Sequence, residues 1–251
     1  MLGPVPGPES DRLLSRKPIP PRERLIVALD VDGYADALEL VDCLGDSVSF
    51  YKLGLQLFMS RRYFELADLL LARRKCVFLD LKFFDVPETV ASAVRMLAAT
   101  GAHFATVHGN DAMLEAAVRE KKDTKILAVT VLTSLDRADL EDLGFEVSVE
   151  ELVLSRARRA LALGCDGVVS SGLEAPMLRD ELGERLLIVS PGIRPVENRP
   201  QDDQKRVVGV EQAFRNGADY IVVGRPIRAA KDPRAAAEAI QTTIASLFRS
   251  E

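Results

Sequence analysis

The chain has 251 residues, of which 47% are hydrophobic and 28% are charged, and its formal net charge is −5 at pH 7. This length and apolar fraction suffice for one large domain with an extensive core. The acidic balance argues against a nucleic-acid binder that relies on a basic surface. No apolar run approaches the ~18 residues needed to cross a bilayer, so no membrane association is predicted.

The first 23 residues hold six of the 13 prolines of the chain. This composition predicts a flexible extension over residues 1–23, followed by one folded domain over 24–251. A signal peptide has an apolar stretch behind a basic start, and this segment lacks one, so no signal peptide is predicted. The three cysteines are odd in number and lack a C-x-x-C spacing, which favours reduced thiols and a cytoplasmic location.

After residue 23, short apolar runs alternate with amphipathic helical patterns. The predicted strands lie within 24–30, 49–55, 76–85, 103–109, 125–133, 166–172, 185–193 and 219–225, and the helical patterns include 34–44, 88–101, 112–121, 149–164, 209–217 and 232–248. Strands that alternate with helices predict a parallel sheet, and eight such units in roughly 230 residues predict an α/β fold, a single-domain (β/α)₈ (TIM) barrel. A doubly wound open sheet is the alternative, but the first strand is not followed by a G-x-G-x-x-G turn.

Polar residues cluster at the ends of the predicted strands, where the active site of such a barrel forms. They are Asp30, Lys52, Asp80, Lys82, His108, Thr133, Ser170, Ser171, Arg194, Gly224 and Arg225. Strand ends commonly meet water, which explains one or two polar residues there. It does not explain charges that precede the strand end, such as Lys52 and Asp80.

The stretch FLDLKFFD, residues 78–85, places three charges in an apolar, strand-like run. Asp80 and Lys82 are two residues apart and therefore share a face of a strand. If that face is the barrel interior, they lie beside Lys52 of the neighbouring strand, with Asp30 one strand further. A purely structural salt-bridge network is the alternative, but such networks stabilise little compared with apolar filling, which favours a function.

Asp85 has the wrong parity for that interior face. We therefore expect Asp85 to lie beyond the end of the strand, where Pro87 favours the start of a helix.

Two glycine–arginine stretches follow the last two strands, SPGIRP at 190–195 and VVGRP at 222–226. The corresponding loops form the common phosphate site of (β/α)₈ barrels. A glycine lets backbone N–H groups approach an oxyanion, and a guanidinium binds phosphate through two parallel hydrogen bonds. Arg194 and Arg225 are therefore the predicted phosphate ligands, and the polar segment 195–206 is predicted to be a mobile lid.

These motifs together resemble the orotidine 5′-monophosphate decarboxylase family. The matching stretches are D-x-K-x-x-D-V-P-x-T at 80–89, VALD at 27–30, YKLGL at 51–55, VTVLTS at 129–134, SPGIRP at 190–195, DDQKR at 202–206 and VVGRP at 222–226. They occur in order and span nearly all of the chain after residue 23. The chain departs from the pattern common in bacterial members at Phe84 and Glu88, neither of which belongs to the charge array.

The resemblance implies decarboxylation of orotidine 5′-monophosphate to uridine 5′-monophosphate, the last step of de novo pyrimidine nucleotide synthesis, without a cofactor or a metal. It implies an alternating charge array made of Lys52, Asp80, Lys82 and Asp85. In this array Lys82 stabilises the carbanion at C6 of the pyrimidine ring and protonates it, while its charged neighbours keep the ammonium aimed and charged.

The resemblance also implies how the substrate is held. Asp30 is expected to hold the ribose hydroxyls, Thr133 to contact the pyrimidine ring, and Gln204 to bridge the base and the phosphate. Arg225 with the Gly224 backbone is expected to bind the phosphate, with Arg194 as a further family arginine. Asp85 and Thr89 are expected to reach the site of a partner subunit, which implies a homodimer.

Two other functions remain open from the residues. One is a Mg²⁺-dependent sugar-phosphate decarboxylase or aldolase on the same barrel, which uses a similar D-x-K-x-x-D array. The other is a barrel that binds a nucleotide phosphate without catalysis.

Overall fold

Eight parallel strands form a closed barrel in chain order, with the first strand also paired to the last. The computed structural model describes residues 11–194 and 207–248. The strands are β1 (Leu25–Ala28), β2 (Phe50–Gly54), β3 (Cys76–Phe83), β4 (Phe104–His108), β5 (Lys125–Val129), β6 (Gly167–Val169), β7 (Leu187–Ser190) and β8 (Tyr220–Val223). Each strand lies within a run predicted from the sequence, and the predicted (β/α)₈ barrel is confirmed.

Helices surround this barrel in the part of the chain that the structure describes. They are α1 (Tyr34–Leu44), α2 (Leu55–Phe58), α3 (Tyr63–Ala72), α4 (Pro87–Ala98), α5 (Asp111–Glu120), α6 (Arg137–Asp142), α7 (Val149–Ala162), α8 (Ala175–Leu182), α9 (Val210–Arg215), α10 (Arg225–Arg228) and α11 (Pro233–Leu247). In α1 the buried residues Ala37, Leu40, Val41 and Leu44 recur at helical spacing, which directs one apolar face to the sheet. Among the described residues, no helix is long and apolar enough to cross a bilayer.

Aromatic rings fill the interior of the barrel beneath its carboxyl-terminal end. Phe50, Phe78, Phe104 and Tyr220 are at most 5% exposed, and the ring centroid of Phe104 lies 5.0, 5.9 and 5.1 Å from those of Phe50, Phe78 and Tyr220. We call these four residues the aromatic floor. Alternate residues of a strand face the same side, so the residues two positions further along these strands also face inward.

The N-terminal segment closes the opposite end of the barrel. Ile19 packs against the interior cluster, while Ser15 and Lys17 bond to the buried carboxylate of Asp219 ahead of β8. Pro21–Glu23 form a short 3₁₀ helix before β1. A buried carboxylate requires hydrogen-bond donors, and residues 11–23 supply two of them to Asp219, while the flexibility of the extension stays a prediction. Residues 1–10 lie outside the described residues, and the domain boundary at residue 23 stays a prediction.

Candidate active site

The charged residues form the next layer above the aromatic floor. Lys52 follows Phe50 by two positions and Asp80 follows Phe78 by two, and these residues lie on paired strands. Asp30 continues the inward-facing column of Ala28 on β1. The predicted inward orientation of these charges is therefore confirmed for Asp30, Lys52 and Asp80.

Asp80 lies between two ammonium groups. Its Oδ2 atom is 2.9 Å from Nζ of Lys82 and 3.4 Å from Nζ of Lys52, and the latter is 3.2 Å from Oδ1 of Asp30. The exposed fraction of the side chain rises from 10% at Asp80 and 12% at Lys52 to 30% at Lys82 and 42% at Asp30. The ion pairs thus run from the interior of the barrel to its mouth.

Mutual neutralisation keeps these buried groups ionised. Burial alone would lower the pKa of Lys52, but the carboxylates of Asp80 and Asp30 raise that pKa above its ordinary value. Burial alone would raise the pKa of Asp80, but Lys52, Lys82 and the hydroxyl of Thr106 lower it below its ordinary value. Lys52 and Asp80 therefore both stay charged near neutral pH, as electrostatic catalysis requires.

The close approach of Lys52 to Asp30 depends on a glycine at the end of β2. A Cβ atom at Gly54 would lie 2.9 Å from Nζ of Lys52 and 3.3 Å from Oδ1 of Asp30. Any larger residue there would displace the ammonium group from the carboxylate.

Lys82 has an unusual backbone conformation for a strand residue. Its φ is 50°, in the left-handed region that costs a non-glycine residue about 1–3 kcal/mol. The pairing of β3 with β4 shifts register here, from Leu79 opposite Ala105 to Phe83 opposite Val107. Asp80 and Lys82 form an ion pair, and their side chains lie together as predicted. The cause is the irregular backbone of β3 and not the regular alternation of side chains along a strand. Such irregularities re-aim side chains beside active sites.

A cavity of about 450 Å³ opens above the array. Of the predicted site residues, those that line it are Asp30, Lys52, Asp80, Lys82, Thr133, Arg194, Gly224 and Arg225. The array and the two arginines therefore share one cavity. Gln204, together with the predicted lid 195–206, lies outside the described residues.

Asp85 and Thr89 are exposed and do not line this cavity. Asp85 lies beyond the end of β3, as its parity predicted, and its carboxylate accepts a hydrogen bond from the backbone N–H of Val86. Helix α4 begins at Pro87, also as predicted. Within one chain, the structure does not bring Asp85 to the other members of the array.

Three of the polar residues at strand ends, His108, Ser170 and Ser171, make local contacts and do not line the cavity. Ser170 and Ser171 are buried; the hydroxyl of Ser170 donates to Glu174, and that of Ser171 accepts from the backbone N–H of Leu173. The ring of His108 packs against that of Phe84 at a centroid distance of 5.0 Å. These residues are therefore not assigned to the site.

Some residues of the site were missed from the sequence, among them Gln56 and Thr106. Gln56 follows β2, lines the cavity and donates a hydrogen bond to Asp32 at 2.8 Å. Thr106 lies in β4, two positions after Phe104, and its hydroxyl donates to Oδ1 of Asp80 at 2.9 Å. For Thr106, the available signal was its parity with the inward-facing Phe104.

The closed barrel and the charged cavity at the carboxyl ends of its strands define a (β/α)₈-barrel enzyme. Residues 23–240 match the model of the orotidine 5′-phosphate decarboxylase / HUMPS family. The chain belongs to this family.

Individual relatives agree with this assignment. The chain is 67% identical over 235 residues to the orotidine 5′-phosphate decarboxylase of Methylococcus capsulatus, covering 94% of this chain and 97% of that protein. It is 53% identical to the orotidine 5′-phosphate decarboxylase of Stenotrophomonas maltophilia, and the match covers 93% of this chain and 98% of that protein. The crystal structure of orotidine 5′-phosphate decarboxylase from Lactobacillus acidophilus superposes with a TM-score of 0.78 at 34% identity, covering 88% of this chain and 99% of that chain.

Proposed function

We propose that this protein decarboxylates orotidine 5′-monophosphate to uridine 5′-monophosphate, the last step of de novo pyrimidine nucleotide synthesis. The enzyme is a carboxy-lyase, as its family membership and its 67% identity to a decarboxylase support. The observation that carries the proposal is the ion pair between Lys82 and Asp80, backed by Lys52, at the wall of the cavity.

The chemistry follows from the position of the Lys82 ammonium. When the bond between C6 and the carboxylate breaks, its electron pair stays on C6 and carbon dioxide leaves. The ammonium stabilises this carbanion and then transfers a proton to C6, and the resulting amine regains its proton from water. The ion pair with Asp80 holds Nζ of Lys82 in place, so little reorganisation is needed during the reaction.

The remaining cavity residues supply binding. Arg194 and Arg225, with the backbone of Gly224, hold the phosphate, while Asp30 holds the ribose and Thr133 contacts the base. These residues line the same cavity as the array, which supports their contact with one ligand. Binding energy from the phosphate can then be used to position C6 against Lys82. Gln204 stays a predicted contact between base and phosphate.

The decisive experiment mixes purified protein with orotidine 5′-monophosphate and follows the loss of orotate absorbance, with and without a chelator. We expect turnover that the chelator leaves unchanged. Turnover only of a sugar phosphate, and only with Mg²⁺, would favour the alternative of a Mg²⁺-dependent sugar-phosphate decarboxylase or aldolase on the same barrel. Binding of uridine 5′-monophosphate without any turnover of orotidine 5′-monophosphate would favour a non-catalytic barrel.

We also propose a homodimer in which Asp85 and Thr89 complete the partner's site. Asp85 is exposed between Phe84 and Val86, whose exposed fractions are 67% and 62%, and an apolar surface of this kind is typical of a protein contact. The cytoplasmic location stays a prediction.

Mixed dimers test this arrangement. Lys82→Ala and Asp85→Ala homodimers are each expected to be nearly inactive. When equal amounts of the two variants exchange subunits, about half of the dimers are mixed, and each mixed dimer has one intact site of two. The mixture should therefore regain about a quarter of wild-type activity. A mixture that stays inactive although mass spectrometry detects mixed dimers would contradict the shared site.

A further inference from the structure

We propose that Thr106 is a positioning residue for the decarboxylation, because its single hydroxyl holds both the backbone of Lys82 and the carboxylate of Asp80. The inference rests on the proposed function and adds a residue to its machinery. Thr106 is fully buried in β4, on the inward face that also carries Phe104.

The hydroxyl of Thr106 has both of its hydrogen-bonding roles determined. Its oxygen accepts the backbone N–H of Lys82 at a nitrogen–oxygen distance of 2.9 Å. Its one proton is therefore available for Oδ1 of Asp80, which lies at 2.9 Å. A hydroxyl has one donor and two acceptor sites, so no other assignment satisfies both contacts.

The hydrogen bond from the backbone N–H of Lys82 to Thr106 lies where the regular pairing of β3 with β4 is interrupted. The register of β3 and β4 shifts between Leu79 and Phe83, and Lys82 lies inside this irregularity. The other non-glycine residues with positive φ among the described residues, Arg74 and Lys122, lie in exposed turns, where little packs around them. Lys82 keeps this conformation inside the barrel, and the Thr106 hydroxyl holds the backbone from which its side chain departs.

Because Thr106 donates its hydrogen bond to Oδ1 of Asp80, the two carboxylate oxygens have different partners. Oδ1 accepts from Thr106, whereas Oδ2 faces the ammonium groups of Lys82 and Lys52 at 2.9 and 3.4 Å. Fixing Oδ1 fixes the rotation of the carboxylate and therefore the position of Oδ2. Thr106 thus controls both ends of the Lys82 side chain, its backbone origin and the anion that orients Nζ.

The test compares Thr106→Val, Thr106→Ser and a control variant, Thr124→Val. Valine keeps the shape of threonine and removes the hydroxyl, and serine restores it. Thr124 is also buried, and its hydroxyl donates to the backbone carbonyl of Ala102 at 2.8 Å, so its valine variant likewise loses one buried hydrogen bond. For each variant, kcat and KM for orotidine 5′-monophosphate, the affinity for uridine 5′-monophosphate by calorimetry, and Tm are measured.

We expect Thr106→Val to lower kcat by about 10- to 100-fold, the factor expected for loss of a hydrogen bond to an ionised group, with KM and product affinity within about threefold. Thr106→Ser keeps kcat within about fivefold of wild type, and Thr124→Val lowers Tm but keeps kcat within about twofold. If Thr106→Val is insoluble, Thr106→Ala repeats the comparison with a smaller side chain.

Two results would overturn the role of Thr106 while leaving the proposed function intact. One is a kcat for Thr106→Val that matches the kcat of Thr124→Val. The other is a loss of kcat that serine does not restore. Wild-type protein without any turnover of orotidine 5′-monophosphate would instead overturn the proposed function, and the role of Thr106 with it.

Discussion

Two buried aspartates, at opposite ends of the barrel, each lie between two cationic side chains. At the carboxyl end, Asp80 contacts Lys52 and Lys82. At the amino end, Asp219 contacts Lys17 at 3.1 Å and Arg179 at 2.5 Å. The two clusters share the same charges, so charge alone does not distinguish a catalytic cluster from a structural one.

The difference lies in what surrounds the cations. Arg179 is 3% exposed, and it also donates to the backbone carbonyls of Gly217, Gly183 and Leu186. Lys82 is 30% exposed and lines the cavity. At the amino end the cations serve the fold, whereas at the carboxyl end an ammonium faces space for a ligand. This agrees with the general division of (β/α)₈ barrels into a stabilising and a catalytic face.

The largest predicted effect is that of Lys82→Ala. Removal of the proton donor and of the charge that stabilises the carbanion should lower kcat by about 10⁴-fold or more. Product binding and Tm should change little, because Lys82 is partly exposed. The control is Lys17→Ala at the other cluster, which should lower Tm and leave kcat unchanged. A Lys82→Ala enzyme within tenfold of wild type would remove Lys82 from the chemistry.

Asp219→Asn should have the next largest effect, on stability. Without the carboxylate, Lys17 and Arg179 are left partly uncompensated in a buried site, which costs about 3–5 kcal/mol of the free energy of unfolding. Turnover for each folded molecule should be unchanged. The matched control is Asp180→Asn, since Asp180 pairs with Arg12 at 2.8 Å on the surface, where water screens the pair and its loss should change the stability little. Equal losses in urea denaturation would contradict the comparison.

A smaller effect is expected from pH acting on Asp80. Its pKa is lowered by Lys52 and Lys82, so the stabilisation by its ionised form is complete above the ordinary carboxyl value of about 3.9 and is lost progressively at lower pH. Urea denaturation of wild type and Asp80→Asn should therefore differ by a constant free energy from pH 7 to about pH 4, with a smaller difference below. A difference that disappears between pH 7 and 5 would mean that burial determines this pKa.

At high pH, Lys52 acts in the opposite direction. Its pKa is raised by Asp80 and Asp30, so its contribution to stability is complete below the ordinary lysine value of about 10.4 and is lost as pH rises further. Lys52 should therefore not cause any loss of activity between pH 7 and 9.

The sequence predicted the carboxyl-terminal cluster better than the amino-terminal one for a physical reason. Lys52 and Asp80 are charges inside apolar strands, an anomaly visible in a short window. Asp219 gains its donors from Ser15, 204 positions away, and from Arg179 on another element. Contacts this distant leave no local pattern, and the proline-rich composition of residues 1–23 indicated flexibility instead.

The fine geometry of the site was also beyond the sequence. Strand periodicity predicted eight strands and an inward-facing column, and both are observed. The left-handed backbone of Lys82 follows from the register shift between β3 and β4, which no residue pattern specifies. Thr106 was missed because threonine is common in strands, so only its parity with the inward-facing Phe104 distinguished it.

The role of Lys82 as the proton donor is tested most directly by NMR, which follows the C6 proton of uridine 5′-monophosphate in D₂O. If the Lys82 ammonium delivers the proton to C6, the reverse step must exchange that proton with solvent, because the two directions share one path. Wild-type enzyme should therefore catalyse deuterium incorporation at C6, and Lys82→Ala should not, although it still binds the nucleotide. Exchange by Lys82→Ala at the wild-type rate would show that Lys82 does not deliver the proton to C6.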